Sequence, residues 1–300
     1  GQQVTTLSAP ASTRRRRAKA PGGASGLWTA TPMTRLILAV TIIISAFPLY
    51  YMIVIASRTN TEATDMPPPF LPGGNLGENI QRVLTNPDAH YLAGLTNSLI
   101  IAATVTVSVV LISTFAGFAF ARLNFRGGKV LLLLVLLTMM VPLQQMGIVP
   151  LYRLMVSLEW VGSIKAVILP YLLNGFGVFL MTQYTQQAVP NELVEAARVD
   201  GASTLRIWFN VVLPAVRPGM AVLGINTFML IWNDFMWPLI VLTPDNPTVQ
   251  VAINSLNAKY GTDYVLIFSG TLMSILPLIV VFILFGRQII GGLMEGAVKA

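Results

Sequence analysis

Residues 130–137 read VLLLLVLL, an uninterrupted apolar run inside a segment, 130–152, that contains no Asp, Glu, Lys or Arg. A strand of a membrane barrel would alternate apolar and polar residues over about ten positions. This run does not alternate, and the segment is as long as the roughly 20 apolar residues that a helix needs to cross a bilayer. The stretch therefore predicts a membrane-spanning α-helix.

Similar segments occur along the rest of the chain. Hydrophobic residues make up 54% of the 300 positions and charged residues 10%, whereas soluble domains have about 25% charged residues. We therefore predict an all-α membrane protein, a polytopic bundle of six transmembrane helices. The predicted transmembrane domain is 35–290, with spans at about 36–57, 92–121, 130–151, 166–182, 219–241 and 264–286.

The distribution of Lys and Arg predicts the orientation. Six spans place both termini on one side, and fourteen of the 19 basic residues fall on that side. Because Lys and Arg accumulate in cytoplasmic loops, both termini are predicted to be cytoplasmic. The tail 1–34 is predicted to be disordered, and its cluster Arg14–Arg17 to meet anionic membrane lipid, so its charge implies no nucleic-acid partner.

Two further features limit the possibilities. The first apolar run is too long for the h-region of a cleaved signal peptide, so we expect it to remain as a helix. The sequence contains no cysteine, which excludes disulfides, cysteine-ligated zinc and iron–sulfur sites.

The predicted loops are unequal in length. On the outer side, residues 58–88 contain Pro67-Pro68-Pro69 and Pro72-Gly73-Gly74, a composition that we expect to be incompatible with regular structure. Residues 153–165 form a short outer connection and residues 242–263 a third outer loop. On the inner side lie a C-terminal tail, 291–300, and residues 183–218, which are far too many for a simple connection between helices.

Residues 183–218 predict two short helices. Pro190 and Glu192 favour a helix start, because Pro is tolerated in the first turn and acidic groups favour the positive end of the helix dipole. Gly201 is expected to adopt a left-handed or tight-turn geometry. A second helix is predicted over 203–212, with Leu205, Trp208, Phe209 and Val212 on one side and Leu213-Pro214 at its end. Two interpretations remain open: a docking knob for a partner, or an amphipathic hairpin on the lipid surface.

The spacing of residues in this loop resembles a known signature. Glu195-Ala196-Ala197, three residues, Gly201, nine residues, Val211, one residue and Leu213-Pro214 resemble the cytoplasmic signature of permease subunits of bacterial binding-protein-dependent ABC importers. Only Val211 departs from it, in place of the usual Ile. Residues 194–202, 232–239 and 291–299 resemble the carbohydrate-uptake branch, of the maltose type with MalG-like subunits. Residues 246–251, 260–264 and 286–292 are similar to permeases of cellobiose or β-glucoside importers.

The resemblance implies a fold, a function and partners. The fold would be that of a type I ABC importer permease, in the bacterial plasma membrane. The chain would form half of the translocation pathway of an ATP-driven importer of a di- or oligosaccharide. Its partners would be a second homologous permease subunit, two copies of a cytoplasmic ATPase subunit and an extracellular solute-binding protein.

The resemblance also implies that residues 183–218, hereafter the coupling segment, contact the ATPase. The implied contact residues are Glu195, Ala196, Ala197, Asp200, Gly201, Leu213 and Pro214. The chain itself contains no phosphate loop, because Lys129 follows Gly127-Gly128 but precedes Val130. We therefore expect a non-catalytic subunit that binds no cofactor, with ATP and magnesium on the partner ATPase.

Two places are candidates for contact with substrate or its carrier. Asp234 lies in a predicted span beside Trp232 and Asn233, and an ionisable group there usually faces a cavity or a partner helix. In the alternative interpretation, Asp234 packs structurally and Trp237 is an interfacial anchor. The outer loop adds Asn254, Asn257 and Tyr260 as further candidates, together with Lys259 and Asp263.

The remaining alternatives carry less support. A secondary active transporter of a small polar solute would need ionisable residues in several helices and an internal repeat. A membrane enzyme would need an acid–base or metal cluster, and the lone His90 favours a structural role.

Gln144-Gln145 are explained equally by a helix break and by helix packing. Maltose, trehalose and a glycerophosphodiester remain open as substrates beside a β-glucoside.

Overall fold

The computed structural model describes residues 31–140, 147–257 and 262–297. Every regular element in these ranges is a helix, which confirms the all-α prediction. The chain divides into two compact units, Gly1–Leu49 and Tyr50–Ala300. The first helix begins in the first unit, and the helices that follow it belong to the second. The predictions for residues 1–30, Gln144-Gln145, Lys259 and Tyr260 lie outside the described residues.

The described residues form helices of very different lengths. In chain order they are α1 Pro32–Ala56, α2 Asn60–Thr64, α3 Leu76–Leu84, α4 Tyr91–Arg122, α5 Gly128–Met140, α6 Ile148–Ser157, α7 Lys165–Tyr171, α8 Gly175–Ala188, α9 Asn191–Val199, α10 Thr204–Ile207, a π-helix Trp208–Val212, α11 Leu213–Ala215, α12 Arg217–Trp232, α13 Met236–Val241, α14 Val249–Ser255 and α15 Tyr264–Ala297.

Three of these helices are long and apolar enough to cross a membrane by themselves: α1, α4 and the part of α15 up to Gly286. Two bent pairs raise the number to five if each pair is one span. One pair is α7 with α8, bent by 42°, and the other is the 204–215 helical stretch with α12, bent by 78°. The prediction of six spans with cytoplasmic termini is therefore not confirmed and stays a prediction.

Helix α4 lies at the centre of the second unit, Tyr50–Ala300. It contacts α7, α8, α12 and α14, and residues such as Val105, Val109 and Phe118 are fully buried along it. Its approach to α8 depends on Gly117, where an added Cβ would lie 2.6 Å from the backbone carbonyl carbon of Met181. Small residues allow this closeness between membrane helices, where packing rather than water exclusion drives association.

The predicted outer loop 58–88 contains two helices, so the expectation of no regular structure was wrong at both ends of the loop. Helix α2 begins with a capping box, in which Thr59 accepts from the Glu62 backbone N–H while the Glu62 carboxylate accepts from the Thr59 N–H. Hydrogen bonding of the Glu62 carboxylate to Thr59, foremost to its backbone N–H and then to its side chain, lowers the pKa of Glu62. Helix α3 begins after the proline-rich stretch, whose own residues, all described, contain no helix.

The Gly117 contact yields a stability prediction. We expect Gly117→Ala to lower stability by about 1–3 kcal/mol, because the backbones of α4 and α8 would have to separate. Gly224→Ala on α12 is the matched control, since its added Cβ would lie 3.6 Å from the nearest atom, an ordinary contact. The apparent Tm of the purified protein measures both. Equal Tm values for the two variants would contradict the assigned contact.

Candidate functional site

The coupling segment begins inside α8, because this helix continues to Ala188, past the predicted end of the span at residue 182. Val189 is fully buried, Pro190 follows it, and α9 starts at Asn191. On α9 only Val194 is buried, while Ala197 packs partly against the core. Only one edge of this short helix packs against the core, so most of its remaining surface, including Glu195 and Ala196, is exposed.

The turn after α9 confirms the expected geometry of Gly201. Its φ is +77°, in the left-handed region, and its N–H donates to the Arg198 carbonyl at 3.0 Å. The Ala202 N–H donates to the Ala197 carbonyl at 3.0 Å, which closes the turn. A side chain at position 201 would be strained by backbone conformation alone, since no atom of the described residues lies within 4 Å of an added Cβ.

The second predicted helix, 203–212, differs from the expectation in two ways. It consists of α10 followed by the π-helix, and helical structure continues through Leu213-Pro214 to Ala215. Its apolar residues also differ in burial. Trp208 and Val212 are buried, whereas Leu205 and Phe209 are exposed. The residues of each pair are four positions apart and so are neighbours on the helix surface, and only the pair of Trp208 and Val212 reaches the core.

Trp208 anchors this part of the segment to α4. Its ring makes edge-on contacts with Phe115 of α4, at 5.6 Å between centroids, and with Phe209, at 4.6 Å. Among the residues that the structure describes, its buried indole N–H has no hydrogen-bond partner. The π-helix is thus held by aromatic packing rather than by a polar network.

The exposed surface of the coupling segment combines charge with apolar side chains. Within the described ranges, Glu195 and Asp200 have no ion pair closer than 4.0 Å. Val199, with 88% of its surface exposed, lies between them in sequence. Leu213 is half-buried and Pro214 exposed at the far end of the segment. Glu195 also lines a small polar cavity of about 160 Å³ with Ala121, Arg122, Asn124, Asn191, Val194 and Arg198.

The candidates around Asp234 lie at a break between α12 and α13. Trp232 is only 1% exposed, stacks on Phe228 at 5.6 Å and donates from its indole to the Ser274 carbonyl. Asn233 is exposed and donates to the carbonyl of Met229. Trp232 is therefore engaged within the helical bundle and Asn233 at the end of its own helix, and their role in a substrate pathway stays a prediction.

Asp234 itself is half-buried and accepts a hydrogen bond of 2.6 Å from the Tyr171 hydroxyl of α7. Trp237 is buried and donates from its indole to the Ala166 carbonyl at 3.0 Å. These two contacts tie the broken span to α7, and they favour the interpretation in which Asp234 packs structurally. The buried Trp237 does not have the exposure expected of an interfacial anchor.

Asn254 and Asn257 lie in an open pocket, hereafter the outer pocket. It has a volume of about 320 Å³ and is lined by Phe235, Gln250, Ile253, Asn254, Asn257 and Ile267. The sequence-based prediction missed two site residues: Phe235, which it placed in the span 219–241, and Gln250, which it placed in a loop over 242–263. Residues 249–255 form α14, and the spacing of four between Gln250 and Asn254 places them on one helix side.

Comparison with known proteins identifies the family. The family described as binding-protein-dependent transport system inner membrane component matches residues 109–289, which include both the coupling segment and the outer pocket. The chain belongs to this family. It is an inner-membrane component of such a transport system, and no group of three or more His, Asp or Glu in the described part of this permease could hold a metal ion.

Individual relatives agree with this assignment. The permease is 34% identical over 259 residues to the arabinooligosaccharides transport system permease protein AraQ of Halalkalibacterium halodurans, covering 85% of this chain and 92% of the relative. It is 30% identical over 269 residues to the sn-glycerol-3-phosphate transport system permease protein UgpE of Salmonella typhi, covering 87% and 94%.

A solved structure shares the fold. A chain from the crystal structure of a bacterial ABC transporter involved in the import of the acidic polysaccharide alginate matches with a TM-score of 0.75 and 19% identity, covering 86% of this permease and 95% of that chain. The ABC importer permease fold predicted from the sequence is thereby confirmed.

The contact between Tyr171 and Asp234 can be tested by a double-mutant cycle. We expect Tyr171→Phe and Asp234→Ala to be coupled by about 0.5–2 kcal/mol, the range for a hydrogen bond between membrane helices. Urea or thermal unfolding of the purified permease gives the four free energies. Tyr152→Phe is the control, because the Tyr152 hydroxyl makes no hydrogen bond within the described residues. Additive effects of the two substitutions would show that the hydrogen bond does not stabilise the break.

Proposed function

We propose that this permease is a transmembrane subunit of an ATP-driven importer of a di- or oligosaccharide. The observation that carries the proposal is the exposed coupling segment, with its exposed carboxylates and a left-handed turn at Gly201, in a chain of this transport family. The permease forms half of the translocation pathway. A second homologous permease, a solute-binding protein and two copies of a cytoplasmic ATPase complete the transporter.

The ATPase docks on the exposed surface of the coupling segment. Leu193, Val199, Leu205 and Phe209 present apolar side chains there, and a segment on an aqueous side exposes such residues when a protein partner covers them. Glu195 makes a charge-assisted contact with a basic residue of the ATPase. ATP and magnesium bind to the ATPase, and the permease supplies no catalytic group.

The second permease and lipid cover the remaining apolar surface. None of the described residues of α5 is buried, so much of its circumference is available to these neighbours. On the outer side, the outer pocket receives the sugar from the solute-binding protein. An aromatic ring and carboxamides suit this ligand, because the Phe235 ring can pack on sugar C–H groups while Gln250 and Asn254 bond to hydroxyls.

A sugar is favoured over other substrates by two lines of support. The relative with 34% identity is named for arabinooligosaccharides, although another with 30% identity is named for sn-glycerol-3-phosphate. The outer pocket lacks a cationic lining residue, which a phosphate would require, among the residues that the structure describes. Within the class of short sugars, the substrate that we propose is a β-glucoside such as cellobiose.

Reconstitution tests the coupling role. The permease, the second permease and the ATPase are co-purified, and sugar uptake and ATP hydrolysis are measured with a sugar-loaded binding protein. We expect Glu195→Lys and Gly201→Asp to leave the complex assembled but to lower the sugar transported per ATP by at least about tenfold. Glu195→Lys loses the charge-assisted hydrogen bond, whose loss gives about this factor, and Gly201→Asp strains the left-handed turn.

Glu192→Lys is the matched control, since it makes the same charge change in the first turn of the same helix. It should transport normally. Uptake that persists without any ATPase subunit, or normal coupling in both Glu195→Lys and Gly201→Asp, would overturn the proposed function.

The outer pocket provides a separate test of substrate class. Stimulation of ATP hydrolysis is compared for cellobiose, maltose, trehalose, an arabinooligosaccharide and sn-glycerol 3-phosphate. We expect a sugar to stimulate, and the double substitution Asn254→Ala and Asn257→Ala to raise its KM about tenfold by removing two amides. Ser255→Ala, on the adjoining position, should leave KM unchanged. Stimulation by the phosphate compound alone would contradict the sugar assignment.

A further inference from the structure

Through its guanidinium, Arg122, the last residue of α4, connects this helix to the end of α8 and to the junction between α8 and α9. Its Nε donates to the Val189 carbonyl at 2.6 Å, and its Nη2 donates to the Gln186 carbonyl at 2.7 Å. The last carbonyls of a helix have no partner within that helix, and here they belong to α8 and to its junction with α9. A planar guanidinium can bond two acceptors at once, and its charge favours the negative end of the α8 dipole.

We propose that Arg122 is a positioning residue that fastens the coupling segment to α4, and that α4 is the rod through which movement of this segment reaches the outer pocket. The inference rests on the proposed function, because an ATPase must move the coupling segment. It adds that hydrogen bonds near the two ends of α4, at Arg122 and at Asn97 and Ser98, hold the elements that α4 connects. From the sequence alone, Arg122 is only one charge in the count that predicts the orientation.

The contact of Arg122 with the Val189 carbonyl, the inner fastening, leaves the chain before α9 little conformational freedom. Val189, whose carbonyl Arg122 holds, is followed by Pro190, and α9 begins with the next residue. Proline fixes its own φ, which is −58° here, so the chain between the guanidinium contact and α9 has little freedom. Earlier on α4, Gly117 brings the α4 and α8 backbones into direct contact, so α8 cannot slide away from the rod without breaking that packing.

A second set of hydrogen bonds, the outer fastening, is made by Asn97 and Ser98 near the other end of α4. The Asn97 side chain donates to Asn246 Oδ1 and to the Pro247 carbonyl, both at 2.8 Å. The Ser98 hydroxyl accepts from the Val249 N–H at 2.8 Å, at the first residue of α14. These contacts set the position of α14, which carries Gln250 and Asn254 of the outer pocket.

The helix between the two fastenings is continuous. Residues 97 to 122 of α4 span about 38 Å at 1.5 Å per residue, and no proline interrupts α4. A regular helix of this kind passes on a displacement, whereas a flexible loop would absorb it. Such a path is established only by a measured coupling between its ends.

The test uses the complete complex and a fluorescent reporter. Since this chain has no cysteine, Ser255→Cys at the end of α14 accepts a single environment-sensitive label once the partner subunits are also made cysteine-free. We expect ATP, magnesium and vanadate to change the label's fluorescence. Arg122→Gln removes the two hydrogen bonds that the guanidinium donates to the Val189 and Gln186 carbonyls, each worth about tenfold in an equilibrium. It should reduce the amplitude by at least about tenfold and lower the sugar transported per ATP in parallel.

Arg126→Gln is the matched control. It removes the same charge four residues away, from an exposed side chain that makes no hydrogen bond within the described residues, and should retain the amplitude. Arg122→Lys keeps the cation but not the two-donor fork, so it should assemble and give an intermediate amplitude. It also serves as the test if Arg122→Gln does not assemble.

Each other outcome overturns the inference. A wild-type amplitude in Arg122→Gln or Arg122→Lys, an equal loss in Arg126→Gln, or no nucleotide response in the wild type would show that α4 does not carry the movement. If Glu195→Lys uncouples transport while the Arg122 variants behave normally, the proposed function stands and only the role of Arg122 fails.

Discussion

The contact between the backbones of α4 and α8 at Gly117 is the constraint on which the other features depend. Lipid is as apolar as a leucine side chain, so helices associate in a bilayer by close packing and by hydrogen bonds rather than by exclusion of water. The Gly117 contact provides the packing, and the Arg122 guanidinium provides hydrogen bonds at the end of the same helix. Together they fix the position of the end of α8, from which the chain continues through the coupling segment.

Breaks in helices leave backbone groups that must be satisfied, and the permease satisfies them with side chains from other helices. Arg122 bonds the carbonyls at the end of α8. Trp237 bonds the Ala166 carbonyl in α7, which lacks an intrahelical donor because Pro170, four residues later, has no N–H. An unpaired backbone group away from water is costly, so these side chains make interrupted spans possible. The bend after the 204–215 helical stretch lies within the coupling segment, and the break after α12 contributes Phe235 to the outer pocket.

The sequence predicted those features that depend on local patterns. Long apolar segments predicted an all-α membrane protein, and Gly201 was correctly expected to turn in a left-handed conformation, because both follow from neighbouring residues. The short helices in the outer loops were missed although a local signal existed: Thr59 and Glu62 have the spacing of a capping box. Proline and glycine in residues 66–74 dominated that prediction. The different burial of Trp208 and Phe209 was missed because packing against α4 decides it.

The same distinction separates the two candidate sites. The coupling residues lie within about 20 positions of one another on consecutive short helices, so their spacing alone describes the surface that they form. The outer pocket combines Phe235, Gln250 and Ile267, from a break, a short helix and a long helix. Its chemistry arises only when α4 holds α14 in place through Asn97 and Ser98. The proposed recognition of the sugar therefore depends on the packing of α4. This helix both places the pocket and ends at the coupling segment, as the proposed link between binding and the supply of energy requires.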